Sequence, residues 1–284
     1  MKKVFKWLII IFVVLLFTII YARYVGTMGF NTNEIVINDK DIPNNFDGLK
    51  IVHFSDIHYN RAININKVKD IVDEINMINP DIVVFTGDLI DQDVDLTEKD
   101  YDTLTNVLKK ISAKYGKYAV MGNHDYFKNK ERIINLYERA NFKYLDNSYD
   151  IIYNKSNEAI FIGGLNTVTY GEADIDKTFA YFDTHNDIDY KIILVHEPDI
   201  ADEIVENYSV NLILAGHSHG GGIRLPLVGP IYTPPYSKKY YDSYYNLSGT
   251  KLYISNGIGV SIINYRLWNR PSINFYRIYK ESSK

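Results

Sequence analysis

Aspartates, histidines and one asparagine recur at a fixed kind of place in this sequence: directly after short apolar runs. The groups are Asp56-Ile57-His58, Gly87-Asp88, Gly122-Asn123-His124-Asp125, His196, and Gly216-His217-Ser218-His219. They hold five of the seven histidines of the chain. Oxygen and imidazole donors without thiolates suit borderline divalent ions such as Mn, Fe, Co or Zn. Seven such groups are more than one ion takes from a protein. Two ions sharing a carboxylate would use them all. Such a pair, ~3.5–4 Å apart, lowers the pKa of a bridging water and holds both oxygens of an in-line displacement at phosphorus.

The elements that must carry these groups follow from periodicity. Residues 50–55, 81–86, 117–121, 191–195 and 211–215 read as buried strands. Each ends where one of the groups begins. Open α/β sheets place their ligands at the carboxyl ends of strands. Between the strands, apolar residues at three- and four-residue spacing predict a helix over 64–78, closed by Pro80. Further helices are expected over 97–114, 130–140, 174–182 and 199–206. Residues 151–153 and 159–162 read as a hairpin, and 252–255 and 272–279 as late strands. Parallel pairing is expected first and more antiparallel pairing later. The Pro-, Gly- and Tyr-rich stretch 226–245 reads as a long surface loop.

The N-terminus carries a different signal. Lys2, Lys3 and Lys6 precede a run without charge from Trp7 to Ala22. A helix from Val4 to Ala22 would be roughly 28 Å long, close to the ~30 Å hydrocarbon core. Lys6 can snorkel, and Trp7, Tyr21 and Tyr24 lie where interfacial aromatics belong. Without an A-x-A cleavage site, the segment reads as an uncleaved anchor over residues 1–25. A linker at 26–33 and one α/β domain at 34–284 follow. Three lysines before the run and Arg23 after it put the body on the extracytoplasmic side of the cell membrane.

Composition excludes several classes. The chain has 284 residues, 46% hydrophobic and 23% charged, enough for one sizeable core. A net charge of -4 is not the basic footprint of a nucleic-acid binder. Without cysteine there is no disulfide framework, no Cys zinc site and no thiol nucleophile.

The ordered set Asp-x-His, Gly-Asp-x-x-Asp, Gly-Asn-His-Asp, His, Gly-His-x-His resembles the signature of the calcineurin-like metallophosphoesterases over residues 48–280. The resemblance implies a four-layer αββα sandwich of two facing mixed sheets. It implies Asp56, His58 and His219 as ligands of a first metal, Asn123, His196 and His217 as ligands of a second, and Asp88 as the bridge. His124 would contact the phosphoryl oxygens and assist the leaving group beside a metal-bridging hydroxide. Asp91 would orient His124. Gln92 stands where the protein Ser/Thr phosphatases of this superfamily carry Arg, and Tyr126 and Phe127 follow Asp125 where their substrate arginine is missing. A protein phosphatase is therefore not expected. The strings FDGLKIVHFSDIH, HEPD, GHSHGGGIRLP and LYISNGIG, after an apolar N-terminus, are similar to the membrane-associated bacterial YkuE/YaeI-like subgroup. Ser218 and Gly222 depart from its GHTHGGQ.

The expected reaction is therefore hydrolysis of a phosphodiester, pyrophosphate or phosphomonoester by two transition-metal ions. The anchor favours a lipid-linked or cell-envelope substrate. Soluble nucleotides or cyclic nucleotides are the second substrate class. A catalytically inactive, metal-binding membrane module is the alternative of another kind; no ligand position is missing to favour it. Arg266 can reach a substrate phosphate. Tyr232 and Tyr236 belong to a tyrosine cluster that either covers the sheets, walls the cleft or touches the bilayer. His53 reads as strand packing and His185 as a surface loop.

Overall fold

Strands that are apolar on both faces need cover on both, and here two sheets supply it for each other. The computed structural model describes residues 2–261 and 263–281. In the first sheet the order is β1 (Asn31–Asp39), β14 (Ser272–Lys280), β2 (Leu49–Phe54), β3 (Ile82–Thr86), β4 (Gly116–Val120) and β5 (Lys143–Tyr144). In the second it is β12 (Tyr244–Leu247), β13 (Thr250–Ile254), β9 (Leu212–Ala215), β8 (Tyr190–Leu194), β7 (Ala159–Gly164) and β6 (Ser148–Tyr153). A two-stranded ribbon, β10 (Arg224–Leu225) with β11 (Gly229–Pro230), stands apart.

Period-two alternation divides the strands between layers. In β3, Ile82 and Val84 face the other sheet while Val83 and Phe85 face helices. In β8, Ile192 and Leu194 face inward and Ile193 outward. The outer helices on the first sheet are α2 (Ile65–Ile78), α3 (Glu98–Leu108) and α4 (Asn123–Arg139). Those on the second are α5 (Ile175–Phe179) and α6 (Ala201–Asn207). The result is the four-layer αββα sandwich, with three apolar layers between its four structural ones.

Both sheets are mixed, each around a parallel centre. The centres β2–β3–β4–β5 and β7–β8–β9–β13 are parallel. Within the two sheets the antiparallel pairs are β14 with β2, β6 with β7 and β12 with β13, and the β10–β11 ribbon is antiparallel too. Strands β2 to β5 pair with one another in parallel, while every antiparallel pair includes a strand from residue 148 onward, so antiparallel pairing does increase later in the chain. The parallel strands β8 and β9 need a crossover, and one built on the short α6 suffices.

Helix α4 begins at Asn123, seven residues before the start expected from apolar spacing. Gly122 caps it, and Asp125 at the third helical position accepts the Gly122 N–H at 3.2 Å. The first turn is polar because it serves the site rather than the core. Within the stretch read as one loop, the ribbon and β12 are ordered pairs.

The N-terminal helix α1 (Lys2–Ile20) continues as a π-helical turn over Tyr21–Val25. Among the described residues it is the one helix long and apolar enough to cross a membrane. Its 24 residues would span about 36 Å. Only its end meets the body: Ala22 is buried, and the Ala22 carbonyl accepts the Arg266 N–H at 2.9 Å. Strand β1 begins at Asn31, paired in parallel with Ser272.

Candidate metal centre

The carboxyl ends of β2, β3, β4, β8 and β9 converge on one edge of the sandwich. Asp56 and His58 follow β2, Asp88 follows β3, Asn123 and His124 open α4 after β4, His196 follows β8, and His217 and His219 follow β9. Five of these residues hold left-handed backbone: Asp56 (φ 51°), His58 (46°), Asp88 (59°), His217 (65°) and His219 (49°). For residues with a Cβ this conformation costs roughly 1–2 kcal/mol each. Strain of this kind concentrates where side chains must be aimed at one point.

What they are aimed at is each other. Asp56, His58 and His219 offer donor atoms within 4.8 Å of one another, and so do Asp88, His196 and His217. In the first group His58 Nε2 lies 3.1 Å from His219 Nε2, and His219 Nε2 lies 3.4 Å from Asp56 Oδ1. In the second, His196 Nε2 lies 3.3 Å from Asp88 Oδ2 and 3.2 Å from both His217 Nδ1 and Asn123 Oδ1. Asp88 Oδ2 is also 3.6 Å from His58 Nε2, so this one oxygen stands between the groups.

The outward nitrogens of the second group are already committed. His196 Nδ1 meets the Thr86 carbonyl at 2.6 Å, and His217 Nε2 meets the Pro235 carbonyl at 2.8 Å. A carbonyl only accepts, so each of these nitrogens carries the proton. The lone pairs of His196 Nε2 and His217 Nδ1 therefore point at one another and at a carboxylate. Metal-binding imidazoles are held in this way by their outer nitrogens. Without an ion, burial opposes a charged His196, but Asp88 and Asp56 raise its pKa well above the ordinary value, so Nε2 holds a proton that a cation would displace. Asp88 is held well below the usual carboxylate range although burial opposes it, because His196, His124 and His58 face it. Buried lone pairs converging on two carboxylates fit divalent cations.

His124 lies beside Asp88, Nε2 to Oδ2 at 4.0 Å, and its own N–H donates to Asp88 Oδ1 at 2.9 Å. The Gln92 N–H donates to His124 Nδ1 at 3.2 Å. Asp91 Oδ2 lies 3.8 Å from that same Nδ1 but 3.3 Å from His58 Nδ1. Asp91 also accepts from Arg61 at 3.1 Å and from the Asp93 N–H at 3.0 Å. Burial resists its ionisation, yet His58, the Asp93 N–H and Arg61 bring its pKa to about 2.

Two carboxylates carry more of the site than spacing alone revealed. Asp125 accepts the N–H groups of Asp88 and Leu89, both at 2.8 Å, and those of Ile90 and Gly122, both at 3.2 Å. It ties the loop after β3 to the start of α4. Gly122 must be glycine, since a Cβ there would lie 2.1 Å from Asp88 Oδ1. Glu197 is buried and accepts from the Thr169 hydroxyl at 2.8 Å, from the Val168 N–H at 3.1 Å and from the Thr167 hydroxyl. It anchors the 167–169 loop beside His196. The only sequence signal for either was its place next to a histidine in the strings HD and HE.

A cavity of about 370 Å³ adjoins the first group, lined by His219 and Arg266 and by apolar residues including Ile223, Ile231, Tyr232 and Val260. Arg266 is 1% exposed. Its Nη2 donates to the Gly259 carbonyl at 2.6 Å and lies 3.2 Å from His219 Nδ1. Its Nε and Nη1 are buried with no hydrogen-bond partner among the described residues. Tyr232 lines the cavity, and Tyr236 stands outside the lining, next to the Pro235 that holds His217. His53 is buried in β2 between Thr86 Oγ1 (2.8 Å) and Tyr276 OH (3.3 Å), away from both groups. His185 is exposed and stacks on Tyr181.

A family model described as calcineurin-like phosphoesterase matches residues 49–221. The chain is 35% identical over 259 residues to the uncharacterized metallophosphoesterase YkuE of Bacillus subtilis (strain 168), covering 91% of this chain and 88% of that protein. It is 25% identical to the phosphodiesterase YaeI of Escherichia coli (strain K12), over 81% of this chain and 82% of the relative. A transmembrane protein with metallophosphoesterase domain from Danio rerio is 26% identical over 84% of this chain, which spans 55% of that protein.

Proposed function

The chain belongs to the calcineurin-like phosphoesterase family, and from that membership we propose that it is a two-metal hydrolase of a lipid-linked or cell-envelope phosphate ester. The carrying observation is that Asp88 Oδ2 stands between two groups of buried donors, 3.6 Å from His58 and 3.3 Å from His196. In this reading Asp56, His58 and His219 would hold one ion and Asn123, His196 and His217 the other, with Asp88 available to both. The ions are drawn from Mn, Fe, Zn and Co. When bound, they supply Lewis acidity at the phosphoryl oxygens and a water acidic enough to react at neutral pH.

The remaining chemistry belongs to the side chains. Burial lowers the His124 pKa more than Asp88 raises it, so the ring is neutral. Its Nδ1 accepts from the Gln92 N–H, which places the proton on Nε2. From there the N–H would hydrogen-bond the departing oxygen and steady the charge that develops on it, the proton itself coming from solvent. Asp91, closer to His58 Nδ1, holds that ring with its Nε2 lone pair toward Asp88, and steadies His124 from 3.8 Å. The first turn of α4 gives the His124 N–H to Asp88 Oδ1, so the positive end of that helix steadies this carboxylate. Arg266, with Nε and Nη1 uncommitted, takes a phosphate oxygen at the cavity wall, and Tyr232 packs on the apolar part of the substrate. Helix α1 tethers the domain on the outer side of the cell membrane.

The test uses the full chain in detergent, loaded with each metal and offered lipid pyrophosphates, nucleotides, cyclic diesters and an aryl phosphodiester. Asp88→Asn should lose metal. His124→Ala should keep metal and lose ~10²-fold or more in kcat. Protein that binds two ions yet cleaves no phosphate ester would refute the reading. A preference for soluble nucleotides over every lipid would refute its substrate half.

A further inference from the structure

The surface beside the cavity is built at odds with water. The turn of the β10–β11 ribbon carries Leu227 and Val228, 108% and 75% exposed. Leu227 has φ 64°, a conformation that a leucine rarely takes. Ile231, Tyr232, Ile263 and Trp268 are half or more exposed on the same structural unit, and Trp268 too is left-handed (φ 50°). A leucine and a tryptophan strained into exposure gain nothing from an aqueous surface.

This unit is hydrogen-bonded, segment by segment, to the end of the N-terminal helix. The Arg266 N–H donates to the Ala22 carbonyl at 2.9 Å, and the Arg224 N–H donates to the Leu267 carbonyl at 3.0 Å. The Ile231 N–H closes the ribbon on the Ile223 carbonyl at 3.0 Å. Gly26 approaches so closely that a Cβ would lie 1.9 Å from the Arg266 carbonyl. Arg23 lies over the Tyr265 ring at 5.9 Å, and Arg270 donates to the Met28 carbonyl at 3.4 Å. The helix end, the 265–268 segment and the ribbon thus form one body, with two arginines at the level where phospholipid headgroups would lie.

We propose that the Leu227–Val228 turn, with Ile231, Tyr232, Ile263 and Trp268 around it, is a second bilayer contact that seats the cavity mouth on the membrane surface. The occupant is the lipid leaflet that α1 enters, so the proposal rests on the anchor reading above. The cavity is lined by Ile231, Tyr232 and Ile263 from this same face. A lipid chain can therefore pass from the leaflet to the wall beside His219 without crossing water.

The chain has no cysteine, so single labels report cleanly. Leu227→Cys, Phe12→Cys and Met77→Cys are each made in the full chain, labelled with an environment-sensitive fluorophore, and placed in phosphatidylethanolamine–phosphatidylglycerol vesicles containing doxyl lipid. Phe12 lies mid-helix, and Met77 is 81% exposed on α2. The expected result is at least twofold quenching by doxyl lipid at 227 and at 12, with little at 77, and the reverse order with aqueous iodide. Quenching at 12 but not at 227 overturns the docking proposal alone. Quenching at neither overturns the anchor reading and the docking with it. A label at 227 shielded from both quenchers means that a protein, such as a second copy, covers this face, and overturns the proposal too. Thermal melts of the three labelled proteins check that the exposed positions tolerate the change.

Discussion

Replacing Asp125 with alanine would leave four buried backbone donors, those of Asp88, Leu89, Ile90 and Gly122, without an acceptor. Each such loss costs ~1–3 kcal/mol, and losses within one network do not add in full. The ionised carboxylate is itself destabilised: burial first, then the charge of Asp88, push its pKa up to about 7. That offsets part of the loss, so the expected net is about 3–5 kcal/mol. At ~2–4 °C per kcal/mol for a domain near this size, Tm falls by ~6–20 °C. Asp125→Asn keeps one oxygen. In the wild type Oδ1 serves Leu89 and Ile90 while Oδ2 serves Asp88 and Gly122, so asparagine retains about half the bonds. It should melt between the other two. The assay is a thermal melt of the three full-length proteins by circular dichroism in one detergent at neutral pH. An alanine variant within ~2 °C of the wild type, or an asparagine variant no better than alanine, would refute the claim that this carboxylate organises the loop.

Other outcomes follow from the same geometry. Burial lowers the His53 pKa to about 3, so between there and the unfolded value near 6.5 the unfolded chain binds the extra proton. His53 therefore contributes stability fully above pH 6.5 and loses it as pH falls. From pH 6.5 to 5 the wild type should lose about 2 kcal/mol more than His53→Asn by denaturant titration; parallel slopes would contradict this. At Gly259 an added Cβ would lie 2.1 Å from the Ile57 carbonyl oxygen, and the Gly259 N–H donates to the Asp56 carbonyl at 2.7 Å. Gly259→Ala should displace the Asp56–His58 loop, cost about 1–3 kcal/mol and weaken metal binding, read by competition with a chelator. Unchanged affinity would mean that the loop tolerates the shift.

Much of this molecule can be read along the chain. The strands at 50–55, 81–86, 191–195 and 211–215 lie within a residue or so of β2, β3, β8 and β9, because strands covered on both faces must be continuously apolar. The chemistry-bearing residues stood out because each follows such a strand. Local periodicity could not reveal the start of α4, whose first turn faces Asp88 rather than a core. Nor could it pair β1 with β14, about 240 residues away, or order the ribbon inside a stretch of prolines and glycines.

The sequence by itself determined that Asp, Asn and His would sit at five strand ends, that an α/β domain would present them, and that an apolar helix precedes the body; the four layers came from the family resemblance. Only the tertiary structure decided which atoms meet. It brought Asp91 nearer to His58 than to His124, gave the Gln92 N–H to His124, and closed Asp125 over four backbone donors. It also bound the helix end to the segment that lines the cavity. Burial patterns are local and leave a period in the sequence. Hydrogen bonds between side chains and backbone from distant loops depend on how the two sheets pack, and leave none.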